Sequence, residues 1–94
     1  MTFFVSIDID AVTFVHSLDG KSRRIIRNHL QKLETDPLPG KGGDKELLDL
    51  GPNVKIYRLH IARSFSAFYQ IEGDQVLVSE ILTIEHAHKK YKKL

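Results

Sequence analysis

The sequence predicts an α+β fold: an N-terminal strand, a helical hairpin packed on a three- to four-stranded antiparallel sheet, and a short C-terminal helix. Three observations predict it. Two stretches in the first third carry apolar residues at helical spacing, Ala11, Val12, Val15 and Leu18 and then Ile25, Ile26, Leu30 and Leu33. Residues 54–84 alternate apolar and polar side chains across two hairpin-length joins. With 94 residues and no cysteine, the chain has room for one domain, residues 1–94, held by one packed core rather than by disulfides or a zinc-thiolate site.

The elements follow in order. Phe3-Phe4-Val5-Ser6-Ile7 is a β-branched and aromatic run of strand length, and Asp8 or Asp10 after it can cap a helix over residues 10–18. Leu18-Asp19-Gly20 breaks that helix. Ser22 can cap a second over residues 22–35, with Arg23, Arg24, Arg27, Asn28, Gln31 and Lys32 on the face opposite the isoleucines and leucines, ending before Pro37. The short join predicts an antiparallel hairpin whose two apolar stripes seek a sheet. Residues 36–53 hold all three prolines and four of the six glycines, so they read as a loop with at most a short stretch around Leu47, Leu48 and Leu50 pressed onto the core.

Three strands follow at residues 54–61, 64–72 and 75–84, joined by Ala62-Arg63 and Gly73-Asp74 in an antiparallel meander. In the first, Tyr57, Leu59 and Ile61 share one face and Ile56, Arg58 and His60 the other. In the second, Phe65, Ala67, Tyr69 and Ile71 oppose Ser64, Ser66, Phe68 and Gln70. One face packs on the helices and the other is left open for chemistry.

Charge leans toward the C-terminal half. Residues 1–50 carry 7 Lys/Arg against 8 Asp/Glu, net −1, and residues 51–94 carry 7 against 4, net +3, ending in Lys89-Lys90-Tyr91-Lys92-Lys93. Charges interrupt every apolar run, and the N-terminus lacks the basic region that precedes a secretory core, so the expectation is a cytoplasmic protein with no membrane partner. Gly40-Lys41-Gly42-Gly43 is not a phosphate loop, because the Walker spacing, the hydroxyl after the lysine and the preceding strand are all missing.

Arg58 and His60, two apart on the polar face of a central strand, project side by side and join a phosphate-binding cation to a group that moves protons near neutral pH. Glu85-His86-Ala87-His88-Lys89-Lys90-Tyr91 gathers two histidines, an acid, lysines and a phenol just after the last strand. No third ligand recurs at metal spacing, so acid/base or phosphate-binding use is expected there, with no metal and no cofactor. His29, beside Ile25 and Ile26, and His16 read as boundary histidines.

Taken in order, Asp36-Pro37-Leu38-Pro39-Gly40-Lys41, Leu50, Lys55-Ile56-Tyr57-Arg58-Leu59-His60-Ile61, Phe65-Ser66-Ala67-Phe68-Tyr69-Gln70-Ile71, Val76-Leu77-Val78 and the stretch from His86 to Tyr91 resemble the RelE/ParE toxin superfamily, particularly its RelE-type members. The resemblance covers nearly the whole chain. It implies a RelE-like fold and a microbial toxin, an endoribonuclease that cleaves messenger RNA in the ribosomal A site without metal. A small cognate antitoxin that wraps around the toxin is the implied partner.

Carried onto this chain, the resemblance puts Arg58 and His60 at the strand positions where the family places basic residues. Tyr91 matches a C-terminal tyrosine implicated in catalysis, and His86 or His88 falls near the basic residue that precedes it. Lys55, Lys89, Lys90 and Lys92 would then bind RNA. The chain departs from the family at Phe65-Ser66, where an arginine usually follows the aromatic residue, and Arg63 at the hairpin is the candidate to fill that space. The reaction implied is attack of a ribose 2′-hydroxyl on the adjacent phosphorus, with Tyr91 and His86 or His88 moving protons and Arg58 and Arg63 holding charge. Two alternatives keep the fold: a ParE-like inhibitor of DNA gyrase, and an inactive module that only binds its antitoxin.

Overall fold

A computed structural model describes residues 2–40 and 42–90. The chain runs β1 (Phe4–Ile7), α1 (Ile9–His16), α2 (Gly20–Gln31), a 3₁₀ turn (Lys32–Glu34), β2 (Lys45–Asp49), β3 (Lys55–Ile61), β4 (Phe65–Glu72), β5 (Gln75–Thr83) and α3 (Ile84–Lys90). The helical hairpin, the meander and the C-terminal helix are those the sequence predicts. The sheet itself is larger and mixed, with five strands in the order β1-β5-β4-β3-β2. β1 joins one edge parallel to β5, Val5 beside Val76, and β2 joins the other edge antiparallel to β3, Leu48 beside Ile56.

The added strand β2 comes from the segment that reads as a loop. The turn that returns it to β3 has Gly51 at φ 128° and Asn53 at φ 65°, left-handed conformations open to those two residue types, so Gly51-Pro52-Asn53 closes a hairpin. Both helices also start earlier than their apolar stripes. Asp8 Oδ1 accepts from the Asp10 amide at 2.9 Å and Asp19 Oδ1 from the Ser22 amide at 2.9 Å, so Asp19 rather than Ser22 caps α2. Hydrogen bonds from Ser22 hold the Asp19 carboxyl below its ordinary value.

α1 and α2 cover one face of the sheet. Ala11, Ile26, Leu30 and Leu33 meet Leu59, Ile61, Ala67, Tyr69, Val76, Val78 and Ile81 in the main core. His29 is half-buried, with Nδ1 2.8 Å from the Ile25 carbonyl, a boundary histidine as expected. Tyr69 stacks on Tyr57 at 5.4 Å, and its hydroxyl donates to the Pro37 carbonyl at 2.7 Å, fastening the loop after α2. Burial, then the nearby Asp44 carboxylate, pushes the Tyr69 phenol well above its ordinary value.

Lys45 fastens the same loop from beneath. Its side chain is 6% exposed and its Nζ lies 3.1 Å from Asp44 and 3.4 Å from Asp36. Partial burial opposes ionisation of Asp44, but the hydrogen bond and charge of Lys45 outweigh it, so the carboxyl sits below its ordinary value of 3.8. A depressed carboxyl contributes stability above the unfolded value and loses it as pH falls through the folded one. Thermal unfolding followed from about pH 7 to about pH 3 is therefore expected to show an acid loss that Asp44→Asn shrinks, by less than about 1 kcal/mol because the carboxylate is partly exposed. An unchanged acid limb would mean that Asp36 alone neutralises Lys45.

Candidate functional site on the second sheet face

The opposite face of the sheet is polar at one end and capped at the other. Strand alternation places Glu46, Leu48, Ile56, Arg58, His60, Ser66, Phe68, Glu80 and Leu82 on it. α3 lies against this face, and Leu48, Phe68 and Ala87 bury one another there with Ile56 and Leu82 alongside. The face expected to be open thus carries a second, smaller apolar cluster with charged groups around it.

Two rows of cross-strand neighbours organise those groups. Glu46, Arg58, Phe68 and Glu80 are in register across β2 to β5, and His60, Ser66 and Leu82 form the adjoining row. Glu46 Oε1 stands between the two basic side chains, 3.5 Å from Arg58 Nε and 3.3 Å from His60 Nε2, the second an ion pair when the imidazole is protonated. Arg58 is enclosed, with 11% of its side chain exposed, and its Nε has no hydrogen-bond partner. Glu46 is about half exposed and His60 a third, so the carboxylate and the imidazole reach solvent over a sunken guanidinium. At the far end of the row, Lys90 of α3 pairs with Glu80. A carboxylate touching an imidazole can take a proton, and an arginine in a site of low dielectric can hold an anion strongly.

The residues singled out from sequence are brought together unevenly. Arg58 and His60 meet through Glu46. Arg63 is exposed in the turn between β3 and β4, and Lys55 is exposed at the start of β3 in alternation with the face of Arg58. His86 and His88 are exposed on α3, whose first turn is held by the His86 amide donating to Thr83 Oγ1 at 3.2 Å. Lys89 pairs with Glu85 at 3.8 Å and Lys90 with Glu80. Tyr91 and Lys92 lie outside the described residues. Glu46 was missed because it sits in the proline- and glycine-rich segment; the Leu47-Leu48 pair followed by Gly51-Pro52-Asn53 is the signal that makes this segment a strand.

Ser66 faces this side, as its parity with Phe68 requires, but it is fully buried rather than open, and its Oγ has no hydrogen-bond partner. An arginine here would have no room without displacing its neighbours, because the position is sealed. An unpartnered buried hydroxyl costs roughly 1–3 kcal/mol. Ser66→Ala is expected to raise stability by about 1 kcal/mol in denaturant unfolding, since no partner loses a bond. A loss of stability would show that the hydroxyl is satisfied in solution.

No protein-family model matches the sequence, and no curated protein matches it either. Solved structures do. A chain of the archaeal RelE–RelB complex from Pyrococcus horikoshii OT3 superposes with a TM-score of 0.73 at 20% identity, over 88% of this chain and 96% of that one. A mutant of the E. coli toxin RelE in the free state superposes with a TM-score of 0.58 at 18% identity, over 98% of this chain and 93% of that one. The chain has the RelE fold.

Proposed function

We propose that this RelE-fold chain is the toxin of a toxin–antitoxin pair and that it cleaves messenger RNA on the ribosome. The observation that carries this reading is the Glu46–His60–Arg58 cluster on the sheet face opposite the helical hairpin. The RelE–RelB neighbour supports an antitoxin as partner. Among the described residues, no helix is long and apolar enough to cross a membrane.

In the proposed reaction a ribose 2′-oxygen attacks the adjacent phosphorus and the bond from phosphorus to the 5′-oxygen breaks, leaving a 2′,3′-cyclic phosphate and a 5′-hydroxyl. The Glu46–His60 pair takes the 2′-proton, with the carboxylate orienting the imidazole through Nε2. Arg58 holds the negative charge that builds on the phosphoryl oxygens. Tyr91, His86 and His88 are the candidates to protonate the leaving oxygen. Arg63, exposed in the turn between β3 and β4, is the further candidate to hold charge, and Lys55, exposed at the start of β3, the candidate to hold the RNA backbone.

The test is incubation of the purified protein with ribosomes translating a defined message, with cut sites mapped and end groups identified. Cleavage in the A-site codon with a cyclic phosphate is expected. An intact message together with inhibited gyrase supercoiling would replace this reading with the ParE-like one.

A further inference from the structure

One buried polar group takes no part in holding the fold or in the Glu46–His60–Arg58 contacts. Ser66 is fully buried, and among the described residues its Oγ and Arg58 Nε are the enclosed side-chain polar atoms without a hydrogen-bond partner. A buried polar group left unpartnered weakens the fold, so its presence calls for a reason. Sealed from solvent, Ser66 cannot touch a bound strand, and any use it has acts through a neighbouring side chain.

Register fixes which one. Ser66 lies directly opposite His60 on β3 and Leu82 on β5, with Phe68 next to it on the same face of β4. Of these only His60 can exchange a hydrogen bond, and residues opposite one another across two strands have β-carbons about 4.5–5.5 Å apart. Arg58 is a diagonal neighbour whose Nε is turned to Glu46 at 3.5 Å. His60 has one ring nitrogen left to offer, because Nε2 faces Glu46 at 3.3 Å. In the neutral imidazole with its proton on Nε2, Nδ1 is the lone pair that takes a proton. Once it has taken one, Nδ1–H is a new donor on a ring only 35% exposed, where an ionised donor without an acceptor is costly.

Resting on the reading of His60 as the proton acceptor, we infer that Ser66 is a positioning residue for the cutting reaction: its Oγ accepts a hydrogen bond from Nδ1–H of His60 after the ring has taken the 2′-proton. The charged imidazole is then held on both sides, by Glu46 at Nε2 and by Ser66 at Nδ1. No covalent bond to Ser66 forms or breaks, and the proton stays on His60 until solvent removes it. The hydroxyl stands unpartnered at rest because its donor exists only in the charged state. The other charged groups around the ring are Glu46 of β2, which favours that state, Arg58 of β3, which opposes it, and Glu80 of β5 and Lys90 of α3, which pair with each other. None of them is altered by a change at Ser66.

The experiment compares the full-length protein with Ser66→Ala and Ser66→Thr, using His60→Gln to identify the His60 ring signals in NMR spectra. At about pH 5 and without RNA, the Nδ1–H of His60 is expected to be protected from exchange with water in the parent and in Ser66→Thr, and to be lost to exchange in Ser66→Ala. The stability gained by Ser66→Ala in denaturant unfolding is expected to be full at about pH 8 and smaller at about pH 5, since only the charged ring gives the hydroxyl a partner. On ribosomes, Ser66→Ala is expected to lower kcat at least about tenfold with KM unchanged, and Ser66→Thr to restore it. An exposed Nδ1–H in the parent, or the same stability difference at both pH values, overturns the inference. Ser66→Ala adds no volume and decides alone if threonine does not fit. A protected Nδ1–H in a parent that cuts no message keeps the contact and removes the nuclease reading, so the two fail separately.

Discussion

Arg58→Met is expected to lower messenger cleavage on ribosomes by about 10²–10³-fold, the scale on which removal of one preorganised charge-stabilising group acts. Methionine is the informative replacement because Arg58 is enclosed against the second apolar cluster, and an unbranched apolar side chain keeps that packing while removing the guanidinium. Arg58 Nε makes no hydrogen bond and its ion partner Glu46, 3.5 Å away, is half exposed, so the melting temperature should stay close to that of the parent. Glu46→Gln provides the complementary measurement. It keeps the shape but loses the negative charge facing His60, and the loss is expected to be about 10²-fold or more if the pair moves the proton. Full activity in both variants would dismiss this cluster as the cutting site.

Leu30→Ala is the largest expected effect on stability, a loss of about 2–5 kcal/mol. Leu30 is buried between Ile26 and Leu33 on the underside of α2 and lines a cleft of about 250 Å³ with Val5, Val12 and Val15. Truncation enlarges a space that already opens toward solvent, so the lower half of that range is expected rather than the upper, since water and neighbouring side chains relax into it. The cost is still a large share of the 5–15 kcal/mol typical of a domain. A change within about 0.5 kcal/mol would mean that α2 does not rest on the sheet through this residue.

The meander, the helical hairpin and the faces of β3 and β4 were legible in the sequence, because side-chain periodicity is a local property and hydrophobic burial acts on it directly. Arg58 and His60 were placed on one face by counting alone. The first cap was ambiguous by sequence, since Asp8 and Asp10 both precede the apolar stripe and the fold uses Asp8, whereas Ser22 was expected to cap the second helix and the fold uses Asp19, whose carboxylate takes the Ser22 amide instead. Strand β2 was hidden because its pairing energy comes from β3, across a five-residue connection, while its own composition is that of a loop.

Tertiary structure alone decided three further matters. β1 enters the sheet by lying parallel to β5, a pairing across some seventy positions that no local pattern records. A bulge between Phe68 and Tyr69 and their partners on β5 shifts the alternation there, so that Val78 and Ile81, three apart, both reach the main core. The third is the site. Glu46 meets Arg58 and His60 only because β2 registers against β3, and Phe68 is covered only because Ala87 of α3 folds back against it, since side-chain proximity across strands depends on register and packing rather than on any property of the residues taken singly.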